Sequence, residues 1–85
     1  MLTVEQLQEM VGDGKFFCVG FTKRTDGTFR KMQARTVPPK EDGRPAYLPE
    51  QHGLFLVKDI KAREYRCIPV ENIHWITAHG KRVSF

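Results

Sequence analysis

The sequence predicts a mainly-β fold, a small five-stranded barrel with a short N-terminal α-helix. Three observations predict it. Residues 63–76 read as a strand ended by a proline, a single tight turn, and a second strand leaving in a new direction. An Asp26-Gly27 turn joins two strand-like runs, as in a hairpin. Only one stretch, near the N-terminus, carries helix start and stop signals.

Thr3 is the expected N-cap of that helix, about residues 3–12, with Gln6 completing a capping box and Leu2 placed to staple against Leu7. Glu5 suits the positive end of the helix dipole. Val4, Leu7 and either Met10 or Val11 form the apolar stripe, and Gly12-Asp13-Gly14 stops the helix. The barrel proper spans about residues 15–85 within one 1–85 domain. Lys15 to Lys23 is the first strand, with Phe17, Val19 and Phe21 assigned to the core. Phe16, Cys18 and Gly20 share the other face, which is apolar enough to call for a cover such as the N-terminal helix. Gly20 marks a bend or bulge.

Thr28 to Val37 is the second strand. Met32 and Ala34 point one way, and Phe29, Lys31, Gln33 and Arg35 the other. A long loop over residues 38–52 holds four of the five prolines. Leu54-Phe55-Leu56-Val57 is apolar on both faces, as a covered central strand would be. Arg63 to Pro69 is the fourth strand. Pro69 lacks a backbone N–H and cannot continue a central ladder. Val70-Glu71-Asn72 is then long enough only for one 3₁₀ turn, and Ile73 to Ala78 is the fifth strand. Strand, one-turn helix, strand is the closing corner of an SH3-like or Sm-like barrel. After the His79-Gly80 turn, Lys81 to Phe85 offers a last short edge strand.

Composition narrows the function classes. Eighty-five residues bury one modest core. No run approaches a membrane span or a signal peptide. Cys18 and Cys67 stand alone, without disulfide or zinc spacing, and read as reduced small hydrophobes. The three histidines share no ligand spacing, so neither metal nor cofactor is expected. No nucleophile has an evident base neighbour and no phosphate loop is present, which argues against an enzyme. The net charge is +4, yet residues 1–13 hold three acids and no base, so the body of the chain is the basic part. A basic body is compatible with a polyanionic partner.

Several residues, taken in order, carry a resemblance: Phe16-Phe17-Cys18-Val19, Lys23 to Thr28, Arg30-Lys31-Met32, Gly53-Leu54, Val57, and Tyr65 to Ile73. This pattern resembles a family of small phage and prophage proteins with a Sm-like SH3 β-barrel related to the WYL domain. The match runs over about residues 14–82, omits the helix and differs in the proline-rich loop. The resemblance implies a phage accessory protein acting in the bacterial host cytoplasm, in a family mostly without assigned activity. The chain lacks a Trp-Tyr-Leu triplet, so no WYL ligand residue transfers.

The residues themselves favour nucleic-acid binding, DNA or RNA, through a basic, aromatic-bearing barrel face. Cations neutralise phosphate and rings stack on bases. The expected phosphate contacts are Arg30, Lys31, Arg35, Arg63 and Arg66, with Trp75 as the stacking ring, and Lys31→Glu with Arg35→Glu is expected to abolish binding without unfolding. The alternative is a protein-interaction module that binds a bacterial host protein through Trp75, the helix face and the open C-terminal edge. Pairing between copies of the chain stays open.

Overall fold

The computed structural model describes residues 3–38, 41, 43 and 52–85. Its one α-helix, α1, spans Val4–Val11. The expected capping box is formed: Thr3 Oγ1 accepts from the Gln6 backbone N–H at 3.1 Å, and Gln6 Oε1 accepts from the Thr3 N–H at 2.9 Å. Leu2, the expected staple, lies outside the described residues, as do most of the prolines of the 38–52 loop. The helix ends at Gly12, whose φ of 93° disfavours any residue with a Cβ.

Six strands follow: β1 Phe16–Thr22, β2 Phe29–Thr36, β3 Leu54–Asp59, β4 Glu64–Pro69, β5 Ile73–Ala78 and β6 Lys81–Ser84, with a 3₁₀ turn at Val70–Asn72 between β4 and β5. They form one sheet in the order β4-β3-β2-β1-β5-β6, and every pairing is antiparallel. The strand count is therefore six rather than five, because Lys81–Ser84 pairs fully with β5. β4 and β6 end the ladder on opposite sides, and no pairing among the described residues closes it into a barrel. The principal axes are nearly equal, at 30, 29 and 28 Å. A flat sheet would be far thinner in one direction, so this one is strongly coiled around its core.

The core collects one side of β1 to β5. Phe17 and Val19 of β1, Met32 and Ala34 of β2, Phe55 and Val57 of β3, Ile68 of β4, and Ile73 and Ile76 of β5 are all buried in one cluster with Val4, Leu7 and Val11 of α1. Phe17 and Phe55 stack with centroids 5.7 Å apart. The helix thus packs on the Phe17 and Val19 side, not over Phe16 and Cys18 as its apolar surroundings had suggested. Leu56, on the other side of β3, is also buried, so β3 is covered on both faces as its apolar run predicts. Thr36, buried in the sheet, accepts from the Lys15 N–H and donates to the Gly12 carbonyl. His79 Nε2 donates to the Val11 carbonyl at 2.7 Å. These bonds satisfy backbone groups at the helix exit and fix α1 to β2 and to the β5–β6 turn.

One irregularity sets the outer face. Gly20 pairs with Trp75, but Phe21 pairs with Ile73, so His74 is an extra residue in β5. Simple alternation would put Ile73 and Trp75 on one side. The bulge instead turns Ile73 into the core and leaves Trp75 outside.

Candidate nucleic-acid interface

The outer face is built from β2, β1, β5 and the edge strand β6. Across β2, β1, β5 and β6, Lys31 lies opposite Gly20, Gly20 opposite Trp75, and Trp75 opposite Ser84. The neighbouring row runs Gln33, Cys18, Thr77, Arg82. Gly20 has no side chain because the indole lies against its Cα; a Cβ there would overlap the Trp75 ring. Trp75 is half-buried by this contact, and the Arg82 guanidinium sits 4.0 Å over its ring. Two further aromatics stand exposed nearby: Phe16, 70 % exposed, and Phe29, 58 % exposed. Phe29 also lies 6.0 Å from the His74 ring, and His74 Nε2 hydrogen-bonds Thr22 Oγ1 at 2.6 Å.

The four strands of this platform contain no Asp or Glu, and of their cations Lys31, Arg35 and Arg82 lie on the outer face, while Arg30 and Lys81 lie in register with core-side residues. The strand carboxylates are confined to β3 and β4, at Asp59 and Glu64. Lys31 and Arg82 hold a positive potential on this face that no carboxylate of the same strands neutralises.

The six residues expected to bind are divided by the structure. Lys31 and Trp75 come together, flanking Gly20 on the outer face. Arg35 shares that face but is engaged: its guanidinium forms a two-pronged pair with Glu41, at 2.7 and 3.1 Å, and donates to the Thr36 carbonyl. Tyr65 Oη donates to the same Glu41 carboxylate at 2.6 Å, and Lys58 Nζ lies 4.4 Å over the Tyr65 ring. The Arg35 and then the Tyr65 hydrogen bonds hold the Glu41 carboxyl below its ordinary range. Glu41 in turn raises the Arg35 guanidinium. Arg35 therefore anchors Glu41 across β2 and β4 in a partly buried network.

Arg30 and Arg66 point to the core side of the sheet instead. Both approach the buried Asp59 carboxylate, at 3.6 and 3.7 Å, and Arg66 also pairs with Glu64 at 3.1 Å. Arg63 is exposed in the β3–β4 turn, where it takes a φ of 56°. Three residues absent from the expected set join the platform: Phe16, Phe29 and Arg82. Arg82 was accessible in principle. A two-residue His79-Gly80 turn fixes the register that puts Arg82 opposite Thr77, diagonal to Trp75.

Among the described residues, no group of three His, Cys, Asp or Glu side chains could hold a metal. No described helix is long and apolar enough to cross a membrane. No family model matches the chain, and no curated protein or solved structure is significantly similar to it.

Proposed function

We propose that this chain is a non-enzymatic nucleic-acid-binding protein that uses the outer face of β2, β1, β5 and β6. The observation that carries the reading is an outer face whose strands hold no Asp or Glu and on which Lys31 and Arg82 stand beside three aromatic rings, Arg35 alone being paired, with Glu41. Phe16, Phe29 and Trp75 offer stacking surfaces, and Lys31 and Arg82 offer charge without a carboxylate partner on their own strands. Stacking needs bases that are out of a duplex, so single strands fit this face better than double strands. The finer fold reading belongs to the same proposal. The 3₁₀ corner at Val70–Asn72 and the return of β5 beside β1 support an SH3-like or Sm-like barrel opened on one side and extended by β6. A phage-encoded accessory protein in a bacterial host cytoplasm is the setting that the sequence resemblance implies for it.

The test is fluorescence anisotropy of a labelled ten-nucleotide oligo-dT or oligo-U. Lys31→Glu and Arg82→Glu should each weaken binding roughly tenfold by losing a charge-assisted phosphate contact, with the fold checked by circular dichroism. Unchanged binding in both variants would remove the platform from the reading.

One observation favours the alternative, docking to a host protein. Among the described residues β6 has no strand on its outer edge, and Val83 within it and Phe85 just after it are 41 % and 49 % exposed. Such an interface would survive salt that weakens phosphate contacts, which separates the two readings.

A further inference from the structure

We infer a second site on the opposite side of the sheet, a pocket for a small monoanion with an apolar body, such as a medium-chain carboxylate. The ladder is open between the tip of the β1–β2 hairpin and β4, and a pocket of about 300 Å³ lies in that gap. Its floor is the uncovered margin of the core: Phe21, Met32 and Ile68. Its rim carries Arg24, Arg30 and Arg66. Among the described lining residues there is no Asp or Glu.

The two central arginines come from different strands and are held at the rim by one buried group. Asp59 is 2 % exposed. Its Oδ1 accepts from the Lys61 and Ala62 N–H groups, which fixes the carboxylate to the β3–β4 turn. Its Oδ2 has no hydrogen-bond partner among the described residues and faces Arg30 Nη2 and Arg66 Nε at 3.6 and 3.7 Å. These contacts orient both guanidiniums without using up their donors, since each guanidinium has five N–H groups. Both arginine side chains remain more than two-fifths exposed.

The charge balance sets the ligand's charge. Lys23, Arg24, Arg30 and Arg66 surround the pocket, and the carboxylates that face them are Asp26, Asp59 and Glu64. Among the described residues, four cations against three carboxylates leave one positive charge, which a single carboxylate neutralises. The apolar floor then takes the hydrocarbon. None of Phe16, Phe29, Lys31, Trp75 or Arg82 lines this pocket, so its outcome is independent of nucleic-acid binding.

The probe is octanoate, titrated into the intact chain and followed by backbone amide NMR shifts, beside octanol and inorganic phosphate. Octanoate should give saturable shifts at Phe21, Met32 and Ile68. Octanol, lacking the charge, should bind about tenfold more weakly, and phosphate, lacking the chain, should not displace octanoate at equal concentration. Arg30→Gln and Arg66→Gln should each weaken octanoate about tenfold. The wild-type comparison stands even if a variant fails to fold. Equal binding of octanol and octanoate, displacement by phosphate alone, or no saturable shift at these residues up to about 10 mM, a weak limit on the affinity scale, would each overturn the site.

Discussion

Arg30 and Lys31 are neighbours in the chain and meet opposite surroundings. Arg30 turns to the core side and stands over a buried carboxylate; Lys31 turns outward, beside a glycine and an indole, on strands that carry no acid. On the core side Arg30 and Arg66 are paired with buried Asp59 and serve the architecture of an open sheet. On the outer side Arg35 is paired with Glu41, and Lys31 and Arg82 are left to solvent or to a partner. A basic composition alone does not distinguish these cases. The period-two alternation of a strand does, because it sends adjacent cations to different faces.

The largest effect should come from the balanced side. Asp59→Ala removes the carboxylate between Arg30 and Arg66 and the acceptor for two turn N–H groups. The arginines are partly solvated, so the ion-pair contribution is discounted, and the expected loss is about 3 kcal/mol in urea unfolding. A loss below about 0.5 kcal/mol, the range of ordinary surface changes, would mean that Asp59 does not organise that end of the sheet. Next comes Gly20→Val, which should cost about 2 kcal/mol by overpacking. It should also shift Trp75 emission to the red as the ring is pushed into water. An unchanged emission spectrum would show that the indole does not rest on Gly20.

On the outer side, stability and binding should separate. Phe16→Ala with Phe29→Ala removes rings that are mostly in solvent, so each should cost less than about 0.5 kcal/mol of stability. Oligonucleotide affinity should nevertheless fall by roughly tenfold or more, since each stacked base contributes about 1–3 kcal/mol. Lys31→Glu with Arg35→Glu does not isolate charge, because Arg35 is also a structural partner of Glu41. Arg35→Glu would set a second carboxylate against Glu41 and break the Tyr65 network, so the double change disturbs structure as well as charge. Lys31→Glu alone is the cleaner probe.

The smallest effect is a pH effect at that network. The Glu41 carboxyl is held below its ordinary value of 4.5. Its folded state therefore binds protons less readily than its unfolded state. The contribution is fully present above about pH 4.5 and is lost as pH falls through the lowered folded value. Titration of Glu41 by carboxyl NMR should show a midpoint below 4.5 in the wild type and a rise towards it in Arg35→Gln. A wild-type midpoint at or above 4.5 would contradict the pairing.

Much of the fold was legible because local chemistry fixed it. Thr3 and Gln6 announce the helix, Gly27 the first hairpin, and Pro69 the corner before the 3₁₀ turn. The alternation of Met32 and Ala34 marks their side of β2 as core. Two features were not legible. The extra residue at His74 reverses the expected side of Ile73, and no residue type marks a bulge in β5. The side of Arg30 was legible from the alternation that marks Met32 and Ala34 as core; grouping it with Lys31 counts cations without regard to face. Arg35 looked free because its partner, Glu41, lies beyond the end of its strand.

The most direct measurement is Trp75 fluorescence while single-stranded oligonucleotide is added at several salt concentrations. Trp75 is the chain's one tryptophan and lies in the middle of the platform. The account predicts saturable quenching, with log affinity falling against log salt at a slope of about −2, as two or three cations displace counterions from a single strand. No quenching at low salt, or quenching that salt leaves unchanged, would contradict a phosphate-and-stacking face and move the outer surface to a protein partner.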